Sequence, residues 1–262
     1  MTLRSIQASN AGPFTLEGTR TFLVGTRRVA VVDPGPDDPG HVRAVAGVVA
    51  GAEAVTLVLT HGHADHAGAA PALASLLDAP VVGAWGTGPG EPGEDRHPGP
   101  AAGLSFRALG QGEVVPTDAG ALVAVHTPGH TPDHLAFHWE AGRALLAGDL
   151  LLGRGDTTWV AGYPGCVTDY LASLERVSAL PLDIIHPAHG PDLDDPAAAL
   201  ERFESHRRVR VRQVRDALAE APGADEAELL ARVYGDAIPP GLRGAALESL
   251  RALVEHVRGP AG

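Results

Sequence analysis

The sequence predicts an α/β fold followed by a small helical appendage. Through residue 195, short apolar runs of strand character alternate with amphipathic runs of helical period. From residue 196 the strand signals stop and helical segments follow, so the chain divides into 1–195 and 196–262. With 262 residues, 44% of them apolar, there is enough chain for one large domain or a core domain with an attachment.

Taken in order, TFLVGTRRVAVVDPG (21–35) reads as two short strands joined by a tight turn, and HVRAVAGVVAG (41–51) has helical spacing. AVTLVLTH (54–61) is a continuous apolar, β-branched run, as expected of a strand buried on both faces. A helix is expected over 64–78 and a strand at PVVGA (80–84). Residues 85–105 are rich in Gly and Pro and lack periodicity, which predicts a long surface loop. Strands return at ALVAVHTP (121–128), HLAFHWE (134–140) and RALLAGDLLL (143–152). TDYLASLERVSAL (168–180) is an amphipathic helix and DIIHPAHG (183–190) a last buried strand. Beyond it come a long helix over 197–221, a short one in DEAELLARVYG and a third in GLRGAALESLRALVEHVR.

Composition excludes several classes. The single cysteine, Cys166, rules out a disulfide framework and a thiolate metal cluster. The opening residues lack an apolar signal core and no run approaches membrane-spanning length, so the expectation is a soluble cytoplasmic protein that makes no use of a membrane. A formal charge of −12 argues against wholesale binding of a phosphate backbone.

The densest chemical signal is THGHADHAGAA (60–70), which places His61, His63, Asp65 and His66 within six positions. Residues two apart at an extended strand end point the same way, so His61 and His63 can face one point. Asp65 and His66 lie in a first helical turn, where side chains splay toward a neighbouring point. Asp65 alone could be a helix cap; the whole constellation suits Zn²⁺, Fe²⁺ or Mn²⁺. Three more candidate ligands fall at other strand ends: His130 in TPGHTPDH, Asp149 in LLAGDLLL and His189 in HPAHG. An unpaired aspartate ending an apolar strand is costly and needs a cationic partner.

T-H-G-H-A-D-H, P-G-H-T-P-D-H, A-G-D and P-A-H-G, in this order, resemble the metallo-β-lactamase-fold hydrolases. GRGDTTWVAGYPG and the helix containing SHRRVRVRQV resemble the lactamase-β-like endoribonuclease group, itself similar to glyoxalase II thioesterases. The resemblance implies a four-layer αββα sandwich with its active site along one edge. It implies a first metal on His61, His63 and His130, a second on Asp65, His66 and His189, and Asp149 as the bridge. Two Zn²⁺ ions would then share a hydroxide that Asp65 aims as nucleophile, with Fe or Mn as alternatives. His134, four residues after His130, would border the substrate pocket.

The only cationic concentration is RFESHRRVRVRQVRD (202–216), in which Arg208, Arg212 and Arg215 share one helical face. It reads as a solvated face balanced by Glu201, Glu204 and Asp216, or as a substrate contact through Arg208 and Arg212 for an RNA backbone or another polyphosphate. In the endoribonuclease group the tail is a winged-helix-like domain, and here the residues of a β-wing do not follow the third helix. Few aromatic residues, 4% of the chain, are available to stack on bases. The expected function is therefore a zinc-dependent hydrolase of a small ester or thioester, in the manner of glyoxalase II, with homo-oligomers compatible. An endoribonuclease of single-stranded RNA and a mononuclear iron, persulfide dioxygenase-like oxidoreductase are the alternatives.

Overall fold

The computed structural model describes residues 2–86, 104–235 and 238–259. Residues 87–103 of the expected 85–105 loop, His97 among them, lie outside that range. Two β-sheets make the centre. The first runs in the order β1 (Leu3–Gln7), β2 (Arg20–Val24), β3 (Arg28–Val32), β4 (Ala54–Leu59), β5 (Val81–Gly83), β6 (Phe106–Ala108). It is antiparallel through β3 and parallel from β3 to β6. The second runs β7 (Val114–Val115), β8 (Leu122–His126), β9 (Leu135–Trp139), β10 (Ala144–Gly148), β11 (Ile184–Pro187), with only the last pair parallel.

The layers follow from the two-residue period of the strands. In β3, Ala30 and Val32 face the second sheet, whereas Val29 and Val31 face the helices outside. In β10, Ala144 and Leu146 face the first sheet and Leu145 faces outward. One apolar cluster thus fills the space between the sheets, around Phe22, Val58, Leu122 and Phe137. The outer face of the first sheet is covered by α1 (Pro39–Val49) and, beyond the short α2 (Ala64–Ala67), by α3 (Ala70–Leu77). The outer face of the second is covered by α4 (Cys166–Ser178). The four-layer αββα sandwich is the architecture observed.

The tail contributes α5 (Pro196–Glu220), α6 (Glu226–Tyr234) and α7 (Arg243–Arg258). Their apolar stripes, including Phe203, Val214, Leu230 and Leu253, join Tyr170, Leu174 and Val177 of α4 in one cluster. No described helix is long and apolar enough to cross a membrane.

Two details differ from the sequence-based expectation. The helix expected over 64–78 is broken into α2 and α3. Pro71 has no N–H for a continuing helix, and its ring would meet the carbonyl of Ala67. At Gly68 a Cβ would lie 2.4 Å from the Ala64 carbonyl oxygen and 2.8 Å from the Asp37 nitrogen, so the chain turns there against residues 36–37. The short strands β1, β6 and β7 were not anticipated.

The two sheets are tied together at one rim. Thr19 bridges His189, and the Arg20 backbone N–H donates to the Ala188 carbonyl at 2.8 Å. The Arg20 guanidinium donates to the Gly190 carbonyl at 3.0 Å and to Asp192 at 2.7 Å, and His186 lies 2.9 Å from the same carboxylate. Burial works to raise the Asp192 pKa, but His186 and Arg20 outweigh it and bring it down to about 2. A depressed carboxylate pKa contributes stability above the unfolded value of about 4 and loses it as pH falls. Asp192→Asn is therefore expected to lower Tm at pH 7, with the gap to the parent narrowing between pH about 4 and about 2. A gap that stays constant across this range would remove the ionic contribution.

Candidate metal centre

Four strand ends deliver seven donors to that rim. His61 and His63 follow β4, with Asp65 and His66 just beyond on α2; His130 follows β8, Asp149 follows β10 and His189 follows β11. The structure brings all seven together. Donor atoms of His61, His63 and His130 lie within 4.8 Å of one another, as do those of His61, His66 and Asp149, and those of Asp65, His66 and His189.

Hydrogen bonds to the far side of the rings fix which nitrogens face inward. The Thr60 hydroxyl has one hydrogen and lies 3.0 and 2.9 Å from the two oxygens of Asp33, which only accept. It therefore accepts from His61 Nδ1 at 2.9 Å, leaving a lone pair on His61 Nε2. His66 Nδ1 donates to Asp33 at 2.9 Å, and His130 Nδ1 donates to the Trp159 carbonyl at 2.9 Å. Their Nε2 atoms are lone pairs as well.

These lone pairs converge on one another. His61 Nε2 and His130 Nε2 each lie 2.9 Å from His63 Nδ1, which carries at most one hydrogen. His66 Nε2 faces Asp65 at 3.4 Å and Asp149 at 3.5 Å; His189 Nε2 faces both carboxylates at 3.3 Å. His66 Nε2 and Asp149 Oδ1 are buried without a hydrogen-bond partner. Acceptors crowded in this way repel unless cations lie among them, so the residues fit a pair of divalent ions. Asp149 offers Oδ2 toward His130 at 3.4 Å and Oδ1 toward His66 and His189.

The electrostatics show a demand for positive charge, which protons on His66 and His189 meet where no cation does. Burial opposes a charged His66, but Asp65, Asp149 and Asp33 together raise its pKa well above the ordinary value. Burial likewise opposes a charged His189, which Asp149 and Asp65 nonetheless raise to about 9. Burial pushes His63 down to about 3, with His130 and His66 adding to the effect. One side of the centre thus draws positive charge and the other presents neutral imidazoles, the form that ligates metals.

Several supporting residues were not singled out by the motif spacing. Asp33, 1% exposed, accepts from the Thr60 N–H at 2.9 Å as well as from its hydroxyl and from His66. The signal for it was present in VVDPG, an acid ending an apolar strand, the same signature that marked Asp149. Its φ of +50° lies in the left-handed region, at a cost of about 1–2 kcal/mol for a residue with a Cβ. Thr19 donates to Asp65 at 3.2 Å, since its own oxygen accepts from the Asn10 amide at 2.9 Å. At Gly148 a Cβ would meet His134 Nε2 and Thr60 Oγ1, both at 2.8 Å, so only glycine lets β10 approach the centre this closely.

The three residues expected to contact substrate have different surroundings. His134 is fully buried, with Nδ1 2.8 Å from the Thr127 hydroxyl and Nε2 accepting the Asp149 backbone N–H at 3.2 Å. It supports Asp149 and meets no solvent. Arg208 and Arg212 are exposed on the outer face of α5, and Arg208 is held by Glu204 at 2.8 Å. The inward stripe of α5 is Phe203, Arg207, Val211 and Val214, which turns 208 and 212 outward.

A family model, the metallo-beta-lactamase superfamily, matches residues 15–189. The chain belongs to that superfamily. It is 30% identical over 257 residues to a beta-lactamase-like protein 2 homolog of Caenorhabditis elegans, covering 96% of this chain and 82% of the relative. It is 28% identical over 256 residues to an atrochrysone carboxyl ACP thioesterase of Aspergillus novofumigatus, covering 93% and 74%. Among solved structures, a metallo-beta-lactamase family protein from Thermus thermophilus superposes with a TM-score of 0.77 at 24% identity, over 99% of this chain and 96% of the other. The fold shared with that structure extends through the tail helices.

Asp33 orients His66 without itself being one of the seven donors. Asp33→Asn is expected to weaken binding of the ion on the His66 side by about 10–100-fold, as measured by chelator competition, while the fold survives. Unchanged affinity would reduce Asp33 to a brace for Thr60.

Proposed function

We propose that the protein is a dinuclear zinc hydrolase acting on a small ester or thioester. The observation that carries this reading is the Asp149 carboxylate, one oxygen 3.4 Å from His130 and the other 3.5 and 3.3 Å from His66 and His189. One side chain thus serves two groups of donors. In this reading His61, His63 and His130 hold one ion, Asp65, His66 and His189 hold the other, and Asp149 spans them. When bound, such a pair would supply Lewis acidity and make water at the site more acidic.

The chain's own residues orient the reactants. The Asp65 side chain is 28% exposed while His66 and His189 are sealed, so of these three donors Asp65 is the one that meets solvent. Its carboxylate would accept a hydrogen bond from an attacking water, and the Thr19 hydroxyl, 3.2 Å away, restrains its rotation. The half-buried Trp159 ring, 6.3 Å from His63 and 5.8 Å from His130, gives the acyl part of a substrate an apolar wall. The thioesterase among the relatives favours a thioester. A chain of net charge −12, in which the exposed Arg208 is paired with Glu204 at 2.8 Å, offers an RNA backbone little attraction.

Elemental analysis of the native protein is expected to give two zinc ions per chain. One iron and no zinc would replace the hydrolase reading with an oxygen-using oxidoreductase. In a screen of short thioesters, esters and fluorogenic single-stranded RNA, thioester hydrolysis is expected; RNA cleavage alone would overturn the substrate assignment.

Asp65→Ala removes both a donor and the group that aims the water. It is expected to lower kcat by at least ~10²–10⁴-fold without loss of the cooperative melt. Turnover near the parent's would leave Asp65 as a helix-start residue only.

A further inference from the structure

Among the described residues, Arg207 is the one buried arginine, at 3% exposure. Among the ion pairs of the described residues none includes it, and its Nε has no hydrogen-bond partner. An arginine buried without a carboxylate is costly to keep. Apolar side chains occupy the neighbouring inward positions of α5, Phe203, Val211 and Val214, and would serve packing at 207 as well.

What the guanidinium does is specific. Nη2 donates to the Thr158 carbonyl at 2.9 Å and lies 3.5 Å from the Thr157 hydroxyl. The guanidinium carbon lies 5.2 Å from the centre of the Tyr170 ring, whose hydroxyl donates to the Leu150 carbonyl at 3.1 Å. Both contacts fall on the irregular segment that leaves β10 just after Asp149. That segment touches two of the seven donors. The Thr158 hydroxyl donates to the Asp149 carbonyl at 3.0 Å, and the Trp159 carbonyl accepts from His130 Nδ1 at 2.9 Å. The peptide whose carbonyl Arg207 holds and the peptide whose carbonyl holds His130 share the Trp159 Cα, so fixing the first plane constrains the second. Neighbouring side chains of α5 grip the same segment: Arg202 donates to the Gly155 carbonyl at 2.9 Å, and His206 lies 3.9 Å from Asp156.

We propose that Arg207, reaching from the C-terminal helix, is a positioning residue for the metal centre: it fixes segment 157–159, which in turn orients His130 and the Asp149 backbone. The tail is then part of the apparatus that shapes the centre. This inference rests on the metal-centre reading above, and its test separates the two.

Zn²⁺ affinity is measured by chelator competition on the full chain, with Tm recorded on metal-free protein. Arg207→Met keeps length and apolar bulk and removes the donors; it is expected to weaken Zn²⁺ binding by about 10–100-fold. Arg207→Lys keeps one donor able to reach the Thr158 carbonyl and is expected to restore part of that affinity. Val211→Ala, one turn along the same inward stripe, is expected to lower Tm while leaving Zn²⁺ affinity within about twofold of the parent, since an apolar side chain makes no hydrogen bond to 157–159. If Arg207→Met lowers Tm like Val211→Ala but binds Zn²⁺ as the parent does, Arg207 is a packing residue and the proposal falls. It falls too if Val211→Ala weakens Zn²⁺ binding equally, or if neither Arg207 variant folds. A parent protein that binds no Zn²⁺ would instead overturn the metal-centre reading itself.

Discussion

The constraint on which the molecule depends is the gathering of acceptors that repel one another. Imidazole lone pairs of His61 and His130 point at His63, and the Nε2 atoms of His66 and His189 face two carboxylates. Nothing in an apolar core favours that arrangement, so the backbone must impose it. It does so by bringing strand ends from both sheets to one rim. The parallel pairs β3–β4 and β10–β11 release their chains on the same side. Contacts of Thr19 and Arg20 with the chain after β11 close the two sheets there. Gly148 and the left-handed Asp33 are local concessions to the same end.

Much of the fold was legible in the sequence because each long element carries one dominant signal. AVTLVL is apolar throughout since both of its faces are covered, and the helices of the tail show clean amphipathic stripes. Where two signals competed, the sequence misled. The helical pattern over 64–78 was real on either side of Gly68, but Pro71 and the close approach of residues 36–37 split it. Strands β6 and β7 are three and two residues long, too short for any period to be visible.

The seven donors were legible because carboxylates and histidines at strand ends have few other uses when they occur in that order. Their supports were not. Asp33, Thr19 and Thr60 are single residues of common type, and their roles depend on contacts across the rim. On α5 the difficulty was one of phase. Arg207 and Arg208 are neighbours in sequence, about 100° apart on the helix. Charge alone places both in water. The exposed reading of Arg208, Arg212 and Arg215 followed from that, and the inward arginine was overlooked.

Arg207 also shows why the tail is more than a cover for α4. The chain between β10 and α4 is irregular, and irregular backbone carries carbonyls that no strand or helix satisfies. An apolar helix packed over it would leave the Thr158 carbonyl without a donor. A guanidinium at that position supplies the donor from a rigid element, and the Tyr170 ring beneath it accommodates the charge. The strand ends fix where the donors sit, and the tail reaches the segment that connects two of them. The geometry of the centre therefore has contributions from both parts of the chain, although every one of the seven donors precedes residue 190.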